Sequence, residues 1–489
     1  MTSLRLTAAV TGLAAAALLL VGALPAQAQS PQEDRRTTYK ITPYVISDPA
    51  LFADPEKLVE EVTKRGDLDR LGIKPSTSAG PSEMTKKAAL AADPASYVVD
   101  SSRFPNGRIP ADIYDYTDWE ECGANSDAAS QDAGWIKNRY SYCQKHLLFM
   151  PAFECGLFPP QCKITGVYSS TNTLIGYGKV GGHEDHPNFR WADFRLKVEN
   201  IVTTGPFAGS GADMSAAIEC EGTYTDEDSN LNDDHACYAH ENEETEKTIN
   251  EWRVNDEAYF DIASQAISSD PLWGEQIATG VFHIEYEFDL PWYFQIIDTE
   301  SPEGGMRFDS AWYLQSHKLG SVFDRAVPGM SYAKSDAQVA GVASHLEEAR
   351  ANPGATMPTQ ADKHLAGGTP GDPIHRLAQA KGEKQSFRYD ENRRIVRNFC
   401  ATKAMQDLKA TLPVNQGPYD CDEYPMASTY EGAGRHLFPD EPYGGAQYER
   451  HYSARWVNSE VNQEAGRRLG RWYDVDRLLD QDAFHIPIR

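Results

Sequence analysis

Tyr419-Asp420-Cys421-Asp422-Glu423-Tyr424-Pro425-Met426-Ala427-Ser428-Thr429-Tyr430-Glu431-Gly432 is the most informative stretch of this chain. Four carboxylates fall within twelve residues, beside aromatic rings, Pro425 and Gly432. Carboxylates clustered near apolar rings can hold a hard divalent cation, and one of them can serve as a base with a raised pKa. A solvated acidic loop is the alternative on composition alone. Around this stretch the chain reads as a small α+β unit. Asn392 to Val396 is expected as a strand, Ala401 to Ala410 as a short helix, Asn462 to Leu479 as a helix and Phe484 to Ile488 as a closing strand.

Working outward, the unit is preceded by a Pro/Gly-rich stretch at 352–373, expected to be a linker, and by a helix expected over 335–350. Between about 96 and 333 the pattern is mainly β. Ile164–Val180, Phe194–Val202, Val281–Ile297 and Phe308–Phe323 alternate aromatic and β-branched residues with polar ones, so an antiparallel sheet or sandwich is expected. Residues 29–95 are polar and broken by Pro, Gly and Ser, with one helix expected at Pro55 to Lys64. The N-terminus reads as a secretory signal peptide. Arg5 precedes an uncharged apolar run over 7–24, and Ala26-Gln27-Ala28 is a small-x-small cleavage pattern that would start the mature chain at Gln29. No membrane anchor is expected. The division that follows is 1–28, 29–95, 96–333, 334–373 and 374–489.

Eight cysteines, an even number in a chain read as exported, point to disulfides rather than zinc, because no CxxC is present. Local pairing of Cys400 with Cys421 is the simplest arrangement in the last region. The net charge of −26 is unevenly spread: residues 371–489 carry 17 basic and 18 acidic residues, so almost all of the excess lies N-terminal to them. That acidic part should repel nucleic acid. It would restrain a nucleic-acid site if docked on it, or simply keep the chain soluble and contact the cell wall. Asp226 to Asn230 with Asp233 and Asp234 lacks the EF-hand spacing, so a solvated turn is the simpler reading. His235 and His240 flank Cys237 without further support for a metal there.

The 419–432 segment resembles the signature of the NucA/NucB-type deoxyribonucleases, small secreted bacterial endonucleases, whose core is Asp-x-Asp-Glu-aromatic-Pro followed by Glu-Gly. Val461-Asn462-Gln463-Glu464-Ala465-Gly466 with Leu469 to Tyr473 resembles their second block, and Asp480-Gln481-Asp482 their closing Asp-Gly-Asp turn, with Gln481 in place of Gly. The resemblance covers roughly 371–489 and implies a ββα-metal type of site working with Mg²⁺ or Mn²⁺ on DNA. It implies Asp422 as base, Glu423 and Glu431 as further metal or water ligands, and Asn462 as the metal ligand from the helix. Asp420 reads as structural, and Cys421 as a disulfide partner. Arg467, Arg468 and Arg471 on the Asn462 helix, and Arg435, are the candidates for phosphate contact, with His436 as an alternative base. The whole then reads as a multidomain protein. A disulfide-stapled, mainly β N-terminal region precedes a small ββα-metal-like α+β nuclease domain. A non-enzymatic envelope or adhesion protein with a degenerate nuclease domain is the rival.

Overall fold

A computed structural model describes residues 37–52, 54–65, 94–110, 112–157, 160–209, 211–225, 232–268, 275–291, 293 and 296–489. The expected signal peptide, most of the 29–95 segment and residues Asp226 to Asn230 lie outside the described residues. Among those described, no helix is long and apolar enough to cross a membrane.

Strict alternation builds the N-terminal half. Phe189–Thr203 and Glu275–Asp289 bury every second residue over most of their length, which is the period of a strand with one face on a core. The first joins an eight-stranded antiparallel sheet with the long hairpin Ser141–Leu157 and Pro160–Gly178, and the second joins a six-stranded sheet beside Asp213–Tyr224 and Gly304–Ala311. The buried faces meet in one core, where Phe194 and Tyr142 of the first sheet pack on Phe282 of the second, ring centroids 4.7 and 5.4 Å apart. This is the expected sandwich. Disulfides Cys122–Cys143, Cys155–Cys162 and Cys220–Cys237 staple it, and Cys400–Cys421 closes the C-terminal part.

Two expectations fail on the C-terminal side. Asn392 to Val396 is not a strand but lies inside the Glu383–Cys400 helix. The residues this helix buries, Arg388, Asn392, Val396 and Cys400, recur every four positions, yet two of them are polar, so the helical period is invisible in a hydrophobic pattern. The 352–373 stretch is not a linker. Its Lys363 is buried, and Nζ donates to the carbonyls of Thr356, Pro358 and Tyr452 at 2.8–3.0 Å. Burial brings the Lys363 pKa down to about 8. Ala454 N donates to Met357 O and Ile486 N to Gly367 O. The helix foreseen at 335–350 forms over Ala340–Ala351, and its Val342 and Leu346 share a core with Tyr424, Val457, Leu469, Trp472 and Phe484.

This C-terminal core is joined to the sandwich by buried charges. Arg477 donates to Asp309, and Arg139 and Arg307 both reach Asp482, at 3.0 and 2.7 Å. Burial works to raise the Asp482 carboxyl, but the guanidiniums of Arg307 and Arg139 outweigh it and hold the carboxyl at about 2. Gln481, the residue that departs from Asp-Gly-Asp, has φ +71°, in the left-handed region that glycine enters without cost. Gln481→Gly is therefore expected to stabilise the protein by about 1 kcal/mol, less the greater flexibility of glycine in the unfolded chain. A melting curve at or below that of wild type would refute this.

Candidate active site

The site starts from a hairpin. Tyr419–Tyr424 pairs antiparallel with Ser453–Asn458, with Asp422 opposite Arg455. Asn458 then caps the Ser459–Val475 helix, its side chain accepting from Glu460 N and Val461 N, so Asn462 falls in the first turn. Strand geometry turns Asp420 and Asp422 to one side and Cys421 and Glu423 to the other. On the first side Asp420 accepts from Ser459 Oγ at 2.9 Å and Gln463 Nε2 at 3.2 Å, pinning the start of the helix. On the second, Cys421 is bonded to Cys400 at the end of the Glu383–Cys400 helix.

Asp422, Glu423, Asp420 and Asn462 line one cleft of about 610 Å³. Its cations are Arg393 and Arg397, which with Tyr389 stand four residues apart on the Glu383–Cys400 helix and so share a face. Burial pushes the Glu423 carboxyl up to about 7; Arg393 opposes the shift and Asp422 adds to it. Asp422 is nearly buried, and its Oδ2 lies 2.7 Å from Nδ1 of His345, a fully buried residue of the Ala340–Ala351 helix. A carboxylate can only accept, so Nδ1 donates; the other ring nitrogen lies 2.9 Å from Ser453 Oγ. Sequence reasoning missed His345, because nothing local links it to a strand 77 residues on. It also missed Arg393 and Arg397, although their spacing from Tyr389 was a legible sign.

Several expected site residues stand elsewhere. Glu431 is not in the cleft: both its oxygens are taken by His375, backbone N at 2.9 Å and Nδ1 at 2.7 Å. Arg468 is fully buried and bound to Glu464, Asp336 and Gln338, which leaves it no room for a phosphate. Arg471 donates to Gly107 O and Asp474, and Arg467 pairs with Glu464. The part of the chain N-terminal to 371 thus meets this arginine face through the Gly107 carbonyl on Arg471 and the Asp336 carboxylate on Arg468. Arg435 is buried over the Tyr448 ring, 3.6 Å from its centroid, and His436 Nδ1 donates to Ala433 O. Gly432 of the motif has a steric reason: a Cβ there would stand 2.3 Å from Nδ2 of Asn392, which clamps Ala427 O, Thr429 O and Gly434 N.

A search of curated proteins finds no match to this chain. The family model for Deoxyribonuclease NucA/NucB matches residues 376–487, a span that includes the hairpin, Asn462 and both cleft arginines. The C-terminal region of this protein thus carries a NucA/NucB-type nuclease domain.

Proposed function

We propose that this protein is an exported, metal-dependent endonuclease that hydrolyses phosphodiester bonds of extracellular DNA. The observation that carries the reading is the convergence of Asp422, Glu423 and Asn462 with Arg393 and Arg397 on one cleft inside the matched residues. Export is supported by the Ala26-Gln27-Ala28 pattern and the four disulfides.

In this reading Asp422 takes a proton from water while the water oxygen attacks phosphorus. The bond to the 3′-oxygen breaks, and that oxygen is protonated from solvent. His345 fixes one carboxylate oxygen of Asp422 and is a positioning residue. Arg393 and Arg397 hold flanking phosphates. The donors fit a hard cation: all are oxygens, and Glu423 is a carboxyl that added positive charge would return to its ionised form. Mg²⁺ or Mn²⁺ held by Asn462 and the cleft carboxylates would stabilise charge on the phosphate and the leaving oxygen. Glu431 is left out of this set, because His375 engages it away from the cleft.

Nicking of supercoiled plasmid is expected from the full-length protein, to stop with EDTA and to return with Mg²⁺ or Mn²⁺. A folded protein that cuts under no divalent cation would leave the non-enzymatic envelope protein as the better account. Arg393→Ala and Arg397→Ala are each expected to weaken DNA binding across all sequences and to lower the salt slope by about 1. An unchanged salt slope in both variants would place the phosphates elsewhere.

A further inference from the structure

A second cluster of ligating side chains stands in the sandwich, apart from the nuclease cleft. Two loops that are remote in sequence meet at one edge of the eight-stranded sheet. One leads into Phe189–Thr203 and carries His183; the other follows the short strand Tyr238–Ala239 and carries His240 and Glu241. One ligand atom from each of His183, His240 and Glu241 lies within 4.8 Å of the others, the only such group among the described residues.

The imidazoles of this cluster are held in place by their surroundings. His240 N donates to Asp261 O at 3.0 Å, and its ring Nδ1 lies 3.0 Å from Asp261 Oδ2. The carboxylate can only accept, so Nδ1 carries the proton and the Nε2 lone pair is left for a ligand. Asp261 is itself buried and fixed, its other oxygen accepting from Asn242 N at 2.9 Å and Asn242 Nδ2 at 3.2 Å. A buried carboxylate orienting an imidazole in this way is the usual support behind a metal-bound histidine. His183 is placed by its backbone bond to Phe189 O and by the edge of Trp191, 5.0 Å away. Its one hydrogen bond through the ring is long, 3.2 Å from Asp185 N to Nδ1, and a cation bound there would replace it. A third imidazole, His186, lies 5.5 Å from His240 between ring centroids. Cys237, flanked by histidines in the sequence, is excluded as a ligand because it is bonded to Cys220.

We infer that His183, His240 and Glu241 bind a late first-row divalent cation of the zinc type. Two imidazoles and one carboxylate suit such a cation better than Mg²⁺ or Ca²⁺, which prefer oxygen alone. Three protein ligands leave a further position for water, and Glu241 is exposed, so the ion exchanges with solvent. The bound ion would tie the two loops together at the sheet edge. This inference is independent of the nuclease reading.

The test uses the full-length protein without a histidine tag, stripped with chelator and desalted. Titration with ZnCl₂ by calorimetry, and with CoCl₂ by visible absorption, is expected to show one site that survives Asn462→Ala. His183→Ala and His240→Ala should abolish that site, and Asp261→Asn should weaken it by about 10-fold or more. Glu241→Gln changes an exposed side chain and so tests the site without a risk to folding; it too should weaken binding. Zn²⁺ should raise the melting temperature of wild type and not of His240→Ala. Absence of saturable binding, or equal binding by wild type, His240→Ala and Glu241→Gln, overturns the inference.

Discussion

Asp422→Asn is expected to slow DNA cleavage about 10³-fold or more while leaving the melting temperature close to that of wild type. The rate term follows from the base: losing a positioned proton acceptor costs roughly 10²–10⁴-fold. The stability term follows from His345. Its Nδ1 donates to Asp422 in a fully buried position, and an asparagine oxygen can still accept that bond. Asp422→Ala removes the acceptor and strands a buried donor, at about 1–3 kcal/mol. The two substitutions should therefore be equally inactive but differ in stability. Asn462→Ala should also lose activity, and without a fold penalty, because Asn462 lines the cleft and the cap of its helix is supplied by Asn458. Steady-state nicking rates and thermal melts of the three variants check this. Near wild-type cleavage by Asp422→Asn would remove the base assignment, and equal melting of Asp422→Asn and Asp422→Ala would remove the role given to His345.

The largest effect on stability is expected at Asp309, far from the cleft. Asp309 is fully buried on Gly304–Ala311, where one oxygen pairs with Arg477 and the other accepts from Arg307 Nε at 3.2 Å. Asp309→Ala leaves two buried guanidiniums without that counter-charge. Breaking a buried pair from one side typically costs about 3–5 kcal/mol, because the remaining charge is desolvated and uncompensated. Arg307 keeps Asp482, but Arg477 keeps only carbonyl partners, His317 O, Lys318 O and Asp309 O. The loss should reach the whole protein, since Arg477 belongs to the C-terminal region and Asp309 to the sandwich. Denaturant unfolding followed both by tryptophan fluorescence and by nicking activity should show the two signals lost together at lower denaturant. Retained activity after the sandwich has unfolded would show that the two parts are independent. A chain shortened to begin near Gly371 would lose the Ala340–Ala351 helix, His345 and the Asp309, His317 and Lys318 partners of Arg477 together.

Sequence alone determined the features whose physics is local. Period-two alternation announced the sandwich strands, because one face of each lies on a core. The resemblance of the segments holding Asp422, Glu423 and Asn462 to a family signature pointed to residues that line one cleft, since the signature lies on a strand pair and the helix that directly follows it. Tertiary structure decided everything that depends on partners distant along the chain. The helix at 383–400 was hidden because polar Arg388 and Asn392 fill buried positions and are satisfied by distant groups. Arg468 and Arg393 are the same residue type on helices, yet Asp336 and Glu464 bury one while the other stands exposed on the cleft. Glu431 was indistinguishable in sequence from its acidic neighbours until His375 took both its oxygens. His345 was a lone histidine in the helix expected over 335–350. Only packing of the Ala340–Ala351 helix into the core beneath the hairpin brings it to Asp422, because the burial that orders such a helix is a property of the whole fold and not of its own sequence.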